Sequence, residues 1–510
     1  AIIMSTKQAA AKKQAMFSCS LTDKTTPLPH FWEEVVGSGH APLALRADWQ
    51  RQLKQCHDEL GFRYVRFHDI LSDDMGTMMD EQNQLLYSFF NADQICDFLL
   101  SIGMKPFVEL TFMPSTLSSG STTVFHYGAN VTPPKEYAEW AKFVGRLIRH
   151  RVERYGIDEV CTWFFEVWNE PNLKPGFWTR TQDDYFKLYK YAAQAVKSVN
   201  KDYRVGGPAT AGAAWETEMI DYCYKNNLPI DFISTHSYGV NQGFLDEFGN
   251  SGTVLAREES AVSGDVLQSR KEIAASPKPN LELHYTEWSA SYTPADPVHD
   301  SYIEAAYVLQ KLKQVGDAAN SMSYWVFTDI FEEPGPRFEP FHGGFGMLNI
   351  QGINKPVFYS YQFLNRLGNI ELANKDAASW ACKDSSGNIQ VLAWDFANTL
   401  PDSINNQQYF IRDLPSKSKG KLKVSIANIP GGNYALEVYR IGYRSNDAYS
   451  SYLSMGKPQQ LAKQQVEQIK KQNDGSPFFK EIITVKDGAV FSKELDIREN
   501  DVFFLNLVKL

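Results

Sequence analysis

The segment FFEVWNEPN, residues 164–172, begins like a buried strand and ends in polar residues. Four of its first five residues are apolar, with Glu166 as the exception, and the Asn-Glu-Pro that follows ends the strand. Such a nearly continuous apolar run is typical of a strand in a parallel sheet, which is covered on both faces. The segment therefore predicts a buried strand that carries an amide, Asn169, and a carboxylate, Glu170, at its carboxyl end.

Outward from this segment, short apolar strands alternate with amphipathic helices, eight of each. Such alternation predicts an α/β fold with a parallel sheet, and the count of eight favours a closed (β/α)8 TIM barrel. A doubly wound open sheet is the alternative, but it would need a glycine-rich nucleotide-binding turn, and GSGH after the first strand lacks its later glycine. The predicted strands cover residues 30–39, 62–70, 105–114, 162–171, 204–210, 231–239, 281–291 and 321–331.

The texture changes near Asn374, where short strands separated by Gly, Pro, Asn and Ser turns replace the alternation. One helical stretch, PQQLAKQQVEQIKKQ, interrupts these strands. This pattern predicts a smaller C-terminal β-sandwich that packs on the barrel. We expect an N-terminal segment over 1–27, which could add a strand to the sandwich, a catalytic barrel over 28–368 and the sandwich over 369–510.

Composition excludes several classes of protein. Hydrophobic residues make up 43% and charged residues 22% of the chain, as in a packed globular protein. The formal net charge of −9 argues against a nucleic-acid partner or an anionic membrane surface. The sequence has no HExxH, no Cys/His cluster, no Asp-rich calcium loop and no phosphate-binding or serine-nucleophile motif. We therefore expect neither a metal nor a cofactor.

The six cysteines are scattered and form no CxxC pair, so we expect small buried hydrophobic residues rather than a disulfide framework. No apolar run is long enough for a membrane span. The first twenty residues lack the hydrophobic region of a signal peptide. The sequence thus predicts a soluble protein that is either cytoplasmic or exported and then cleaved.

Polar residues collect at the carboxyl ends of the predicted strands, where a barrel of this kind carries its chemistry. The amino ends of the strands lack such a group of polar residues, and this difference between the two ends predicts a functional site at the carboxyl ends. The polar or aromatic residues at these ends are Arg66, His68, Glu109, Asn169, Glu170, His236, Tyr238, Glu287, Trp325, Asp329, Glu332 and Glu333.

Two of these residues, Glu170 on the fourth strand and Glu287 on the seventh, suit the hydrolysis of a glycosidic bond. That reaction needs one carboxylic acid to protonate the leaving oxygen and one carboxylate to attack the sugar or activate water. In a retaining enzyme the two groups lie about 5–5.5 Å apart. Asn169 could donate to the sugar 2-hydroxyl, while His236 and Tyr238 could stabilise the charge of the nucleophile or orient its partner.

Other carboxylates on the same strands suit structural roles. Glu166 shares parity with Glu170, so it should point into the barrel, where it could pair with Arg66. Glu282 has the opposite parity to Glu287 and is expected to be exposed. The HGGF segment that begins at His342 is expected to shape a loop rather than to supply a catalytic histidine.

Seven motifs together resemble glycoside hydrolase family 39, which contains β-xylosidases and α-L-iduronidases. The resemblance spans residues 27 to about 365. WNEP is shared by a whole clan of barrel glycosidases, whereas its combination with HGGFG and FWEEVVGSGHA is much more specific. The motifs are PLPHFWEEVVGSGHA, RYVRFHD, WFFEVWNEPNLKPGFW, DFISTHSYG, YTEWSAS, YWVFTDIFEE and FHGGFGMLN.

The resemblance implies a retaining exo-glycosidase in which Glu170 is the acid/base and Glu287 is the nucleophile. A β-xylosidase that acts on a small glycoside or on xylo-oligosaccharides is favoured, because no basic cluster is present to hold a uronate carboxylate. The alternatives are another sugar in the same family, namely a β-glucoside, β-galactoside, α-L-arabinoside or α-L-iduronide, or a carbohydrate-binding protein without catalysis. The sugar contacts that the resemblance implies are His68, Asn169, His236, Tyr238, Trp325, Glu332 and Glu333.

Overall fold

The computed structural model describes residues 15–245 and 251–510. Eight parallel strands form a closed barrel in which each strand pairs with the next along the chain, and the eighth closes on the first through Tyr324 and Val36. The prediction of a TIM barrel is therefore confirmed. The strands are β1 (Val35–His40), β2 (Tyr64–His68), β3 (Lys105–Leu110), β4 (Phe164–Val167), β5 (Arg204–Thr210), β6 (Phe232–Tyr238), β7 (Glu282–Ser289) and β8 (Ser321–Tyr324).

One long helix follows each barrel strand and packs outside it. Their ends carry ordinary helix signals: Thr181 and Asp184 form a capping box at the start of α4 (Gln182–Val199), and Gly61, with φ +81°, follows the last residue of α1 (Ala47–Leu60). The other helices are α2 (Phe90–Ser101), α3 (Tyr137–Tyr155), α5 (Glu216–Lys225), α6 (Ser263–Ala274), α7 (Tyr302–Val315) and α8 (Pro356–Arg366), with a short helix (Ile157–Cys161) between α3 and β4.

The interior of the barrel changes from apolar to polar along the strands. Near the amino ends, a layer of buried apolar side chains fills the barrel. Because side chains alternate with a period of two, the residues two positions further along β2, β3 and β4 also point inward, and these are all charged. The apolar layer is formed by Val35, Tyr64, Phe107, Phe164 and Phe232, and the charged residues are Arg66, Glu109 and Glu166.

The C-terminal region contains two β-sheets. A seven-stranded sheet and a three-stranded sheet face each other across a second hydrophobic core, which is the predicted sandwich. The first sheet contains Thr25–Pro27, Ile370–Leu372, Ser379–Lys383, Ile389–Trp394, Val502–Lys509, Gly432–Ile441 and Phe479–Val485, and the second contains Ala15–Ser20, Ser418–Ile429 and Ala489–Arg498. Short helices lie among them at Asn406–Tyr409, Ala448–Ser454 and Lys463–Gln472.

The chain before the barrel contributes to both sheets. Ala15–Ser20 runs parallel to Ser418–Ile429, and Thr25–Pro27 pairs antiparallel with Ile370–Leu372. Residues 1–14 of the expected N-terminal segment lie outside the described residues, and the domain limits at 27 and 368 stay a prediction.

The seven-stranded sheet packs against the barrel helices. Phe363 of α8 stacks on Phe504 of this sheet at 5.2 Å between ring centroids. The indole nitrogen of Trp394 donates to the side-chain oxygen of Gln310 on α7 at 2.9 Å. The barrel and the sheet thus share one continuous hydrophobic core.

Within the described part of the chain, three two-stranded ribbons and four 3-10 turns lie in the loops. The ribbons are Met78–Glu81 with Gln84–Tyr87, Thr123–Val124 with Ala129–Asn130, and Val240–Leu245 with Ser251–Leu255. The 3-10 turns are Phe31–Glu33, Ala41–Leu45, Asp73–Met75 and Pro297–Asp300.

Among the described residues, no helix combines the length and the apolar character that a bilayer crossing requires. All six cysteines are free thiols, and five of them are buried.

Candidate active site

A cavity of about 480 Å³ opens at the carboxyl ends of the barrel strands. It brings together six of the nine residues predicted for the site, from β2, β4, β6, β7 and β8 or the loops that follow them. These six are His68, Glu170, Tyr238, Glu287, Trp325 and Glu333. Asn169 and His236 are fully buried next to residues that line the cavity. Glu332 does not line the cavity and pairs with Arg46 instead.

The two predicted catalytic carboxylates face each other across the cavity. One oxygen of Glu170, one ring nitrogen of His236 and one oxygen of Glu287 all lie within 4.8 Å of one another. Inverting glycosidases need a wider separation of roughly 6.5–9.5 Å to admit a water molecule. The spacing therefore fits direct attack by one carboxylate on the sugar.

The turn after β4 aims Glu170 into the cavity. Trp168 and Glu170 both adopt left-handed backbone conformations, with φ +72° and +46°, and the Glu170 N–H donates to the Ala209 carbonyl at 2.7 Å. Such conformations are costly for residues other than glycine, and they concentrate at functional sites. The abrupt end of the FFEVWNEPN strand is thus a sharp turn that presents a carboxylate.

The surroundings of Glu170 shift the pKa of its carboxyl group toward neutral pH. Burial raises its pKa to about 7, although the positive charges of His68 and Arg66 oppose the shift. A carboxyl group with such a pKa still holds its proton in much of the population at neutral pH, as a general acid requires.

Glu287 is surrounded by hydrogen-bond donors. The Tyr238 hydroxyl donates to Oε1 at 2.5 Å, and the Arg66 guanidinium donates to Oε2 at 2.9 Å. Burial raises the pKa of Glu287, while the charge of the Arg66 guanidinium acts in the opposite direction. Donors on both oxygens favour the ionised form that a nucleophile needs.

Arg66 is the centre of a buried charge network. Its guanidinium lies 2.6 Å from Glu166 and 2.9 Å each from Glu109, Glu287 and the side-chain oxygen of Asn169. Burial alone would lower the pKa of Arg66, but the three carboxylates raise it. The expected pairing of Glu166 with Arg66 is present in this network.

Asn169 is held so that its amide nitrogen is free. Its oxygen accepts from Arg66, while its Nδ2 is buried without a partner among the described residues. Because a buried unpaired donor is costly, this nitrogen is available for an acceptor on a ligand. This geometry suits the predicted contact with a sugar hydroxyl.

His68 and Trp325 also line the cavity. The His68 Nδ1 lies 2.7 Å from Glu109, and its Nε2 lies 3.4 Å from Glu333. Burial would lower the pKa of His68, but Glu109 and Glu333 raise it to about 10, so the ring is charged. The rings of His68 and Trp325 are 4.9 Å apart.

Glu332 and Glu333 point in different directions. Glu332 has φ +63°, which turns the chain so that its side chain, 47% exposed, reaches Arg46 at 3.1 Å. Glu333 is buried and lines the cavity beside His68. The structure therefore does not bring Glu332 to the predicted sugar site, whereas it brings Glu333 there.

An aromatic part of the cavity wall was missed in the sequence. Phe177 and Phe345 fall inside two of the family motifs, and their types suit contact with a sugar ring or an apolar leaving group. Phe125 and Tyr292 come from loops, where periodicity gives no signal. A search for aromatics inside the motifs would have found the first two only.

The HGGF segment, residues 342–345, places Phe345 in the cavity wall, and a buried ion triad holds this segment. The Lys355 ammonium lies 2.7 Å from Asp300 and 2.8 Å from Asp329, and it donates to the Gly344 carbonyl at 2.9 Å. All three charged side chains are buried. This triad fixes the backbone that places Phe345 in the cavity wall.

The comparisons with known proteins agree with this geometry. A family model described as Glycosyl hydrolases family 39 matches residues 19–481. A β-xylosidase of Caldicellulosiruptor saccharolyticus is 44% identical over 446 residues, which cover 87% of this chain and 88% of that protein. The crystal structure of the GH39 enzyme from Xanthomonas axonopodis pv. citri has a TM-score of 0.95 and 40% identity, with 100% of both chains covered. A monomeric β-xylosidase from Caulobacter crescentus CB15 has a TM-score of 0.94 and 40% identity, with 97% of this chain and 100% of that chain covered.

Proposed function

The chain belongs to glycosyl hydrolase family 39, and from this membership and the geometry of its cavity we propose that it is a retaining exo-acting β-xylosidase. It releases xylose from xylosides or xylo-oligosaccharides by double displacement. The observation that carries the proposal is the close approach of Glu170 and Glu287, within 4.8 Å, in one cavity.

In the first step, Glu287 attacks the anomeric carbon and Glu170 gives its proton to the departing glycosidic oxygen. The raised pKa of Glu170, about 7, supports the acid role. The hydrogen bonds from Tyr238 and Arg66 to Glu287 support an ionised nucleophile. The free Nδ2 of Asn169 is available to the sugar 2-hydroxyl, a contact that strengthens in the transition state.

In the second step, Glu170 removes a proton from water, and the water oxygen attacks the anomeric carbon and displaces Glu287. Formation of the glycosyl ester removes the negative charge of Glu287. The loss of a nearby negative charge lowers the pKa of Glu170, which suits it to act as a base in this step.

A neutral sugar fits the charges of the cavity better than a uronate. The cations near the site, Arg66 and His68, are each held by carboxylates. Glu333 adds a further acidic group to the lining, which would repel a uronate and can accept hydrogen bonds from neutral hydroxyls. Xylose is favoured among neutral sugars because a relative with 44% identity is a β-xylosidase.

The test is hydrolysis of a panel of 4-nitrophenyl glycosides, with the β-xyloside first, by the wild type and by Glu287→Ala. We expect β-xyloside turnover that the substitution abolishes, and proton NMR should show β-xylose as the first product. Turnover of another sugar would keep the mechanism and change the substrate. A chain that binds xylo-oligosaccharide but turns over no glycoside would be a carbohydrate-binding protein.

Glu170→Ala tests the acid/base role separately. Hydrolysis of unactivated xylosides should fall by orders of magnitude, whereas xylosides with good leaving groups need no proton and should lose less. Azide should partly restore the rate with the variant, because it attacks the glycosyl-enzyme without a base. Normal hydrolysis of unactivated xylosides by this variant would contradict the assignment.

A further inference from the structure

A chain of hydrogen bonds runs from the barrel interior to Glu170. The Thr286 hydroxyl donates to Glu166 Oε2 at 2.8 Å, and the Nε2 of His236 lies 3.0 Å from the Thr286 oxygen. The other ring nitrogen of His236, Nδ1, lies 3.0 Å from Glu170 Oε2. Thr286, Glu166 and His236 are fully buried, so bulk water does not compete for the hydrogen bonds among them.

The directions of these bonds follow from the chemistry of each group. Glu166 is held by Arg66 at 2.6 Å, and an ionised carboxylate only accepts hydrogen bonds. The Thr286 hydroxyl has one hydrogen and donates it to Glu166, so toward His236 it can only accept. The Nε2 of His236 therefore carries a hydrogen.

The other ring nitrogen of His236, Nδ1, carries no hydrogen and directs its lone pair toward Glu170. Burial lowers the pKa of His236 to about 4, since Arg66 adds to this effect while the carboxylates of Glu287 and Glu166 only partly oppose it. The neutral ring with its hydrogen on Nε2 has none on Nδ1. Besides Glu170, the nearest ionisable group that faces Nδ1 is Glu287, whose Oε2 lies 3.6 Å away.

We propose that Thr286 and Glu166 are positioning residues that lock His236 in the tautomer with hydrogen on Nε2, so that the lone pair of Nδ1 faces Glu170 and favours its protonated carboxyl. The inference rests on the proposed role of Glu170 as the acid/base. The protonated carboxyl can donate to Nδ1, whereas an ionised carboxylate at 3.0 Å would meet a lone pair.

The same arrangement serves both steps of the reaction. Before the first step, the fixed tautomer of His236 favours the protonated form of Glu170, and this proton passes to the departing oxygen. After it, the ionised Glu170 lacks a donor from His236 and takes a proton from water more readily. His236, Thr286 and Glu166 neither gain nor lose a proton in the cycle, so they act through Glu170 and not on the substrate.

Thr286→Val tests the proposal, because valine keeps the shape of threonine and removes the hydroxyl. Without its acceptor, the ring can adopt the tautomer with hydrogen on Nδ1 and donate to ionised Glu170, which stabilises the anion. The alkaline limb of kcat/KM, which follows the ionisation of Glu170, should move to lower pH by about one unit, as expected for one buried hydrogen bond. Thr286→Ser keeps the hydroxyl, and its limb should stay at the position of the wild type. A uniform loss of activity in Thr286→Val with no movement of the limb would overturn the proposal.

The tautomer can be read without any assay of activity. Nitrogen NMR of the full chain with labelled histidine, assigned by loss of the signal in His236→Asn, should show a neutral ring with hydrogen on Nε2 in the wild type at pH 7. A hydrogen on Nδ1 in the wild type would contradict the proposed tautomer of His236, regardless of the catalytic role of Glu170. If instead Glu170→Ala hydrolyses unactivated xylosides normally, the proposed function fails while the tautomer stays measurable.

Discussion

Tyr238 donates a 2.5 Å hydrogen bond to Glu287 across the gap between the ends of β6 and β7. Arg66 occupies the other oxygen of the same carboxylate at 2.9 Å. Glu287 and Arg66 are buried and Tyr238 is partly buried, so these two donors replace much of the water that would otherwise solvate the charge. The ionisation of Glu287 therefore depends on a few identifiable contacts.

Tyr238→Phe should raise the pKa of Glu287, because a lost donor destabilises the carboxylate more than the carboxylic acid. If Glu287 must be ionised to attack, the acidic limb of kcat/KM should move to higher pH by about one to two units. The kcat should fall roughly 10- to 100-fold. The measurement is the pH dependence of 4-nitrophenyl β-xyloside hydrolysis. Tyr292→Phe is the control, since Tyr292 lines the same cavity and should leave the limb in place; an unmoved limb in Tyr238→Phe would contradict the prediction.

Glu333→Ala and Glu332→Ala form a matched pair of neighbours that the structure separates. Glu333 lies buried in the cavity beside His68, so we expect its loss to remove a contact to the sugar and to leave the charge of His68 without one partner. Its kcat/KM for the β-xyloside should fall by about 100-fold or more. Glu332 pairs with Arg46 at the surface, and its loss should change kcat/KM less than about two-fold. Equal losses in the two variants would show that Glu332 reaches the sugar.

The sequence predicted the barrel well because periodicity reports burial. The strands that are buried on both faces, such as β4, have nearly continuous apolar runs, and the helices between them have the spacing of one apolar face. Boundaries were less accurate. The first strand starts at Val35 and not at His30, because Phe31–Glu33 forms a 3-10 turn, and β8 ends at Tyr324, well before the apolar run does.

The candidate site was predictable where strand ends determine position. Glu170 follows β4 and Glu287 lies near the carboxyl end of β7, so the topology of the closed barrel brings them to the same end of the barrel. Loop residues were not predictable in this way. The orientation of Glu332 depends on one left-handed backbone angle, and Phe125 reaches the cavity from a loop that only the folded chain places there. The catalytic and binding roles themselves stay predictions until variants are assayed.

Lys355→Met should strongly destabilise the fold. The substitution removes the cation between Asp300 and Asp329 and leaves two buried carboxylates without it. The breaking of a buried ion pair costs about 3–5 kcal/mol of unfolding free energy. Lys54→Met is the matched control, since Lys54 forms an exposed pair with Asp58 and should contribute less than about 1 kcal/mol. Thermal unfolding followed by tryptophan fluorescence compares the two, and similar midpoints would mean that the triad does not stabilise the fold.

Glu304→Gln should change how stability depends on pH. Glu304 is fully buried in the first turn of α7, where the Tyr324 hydroxyl donates to it at 3.1 Å. Burial raises its pKa to about 7, although His299 and Tyr324 oppose the shift. Between its ordinary pKa of 4.5 and about 7, the folded chain binds this proton and the unfolded chain does not. The stabilisation from this proton is complete below the ordinary value and is lost as the pH rises through the folded value.

Glutamine resembles the protonated acid at every pH, so Glu304→Gln should match the wild type near pH 4.5 and exceed its unfolding free energy at pH 8. The difference at pH 8 should be on the order of 3 kcal/mol, which corresponds to the shift in pKa. Thermal midpoints across pH 4.5–8 for the two proteins give the comparison, because the other titrating groups cancel in the difference. Glu218→Gln is the control, since Glu218 is exposed in the first turn of α5 and its substitution should change stability by less than about 0.5 kcal/mol. A constant offset between Glu304→Gln and the wild type over the whole range would mean that Glu304 is already ionised in the folded chain at low pH.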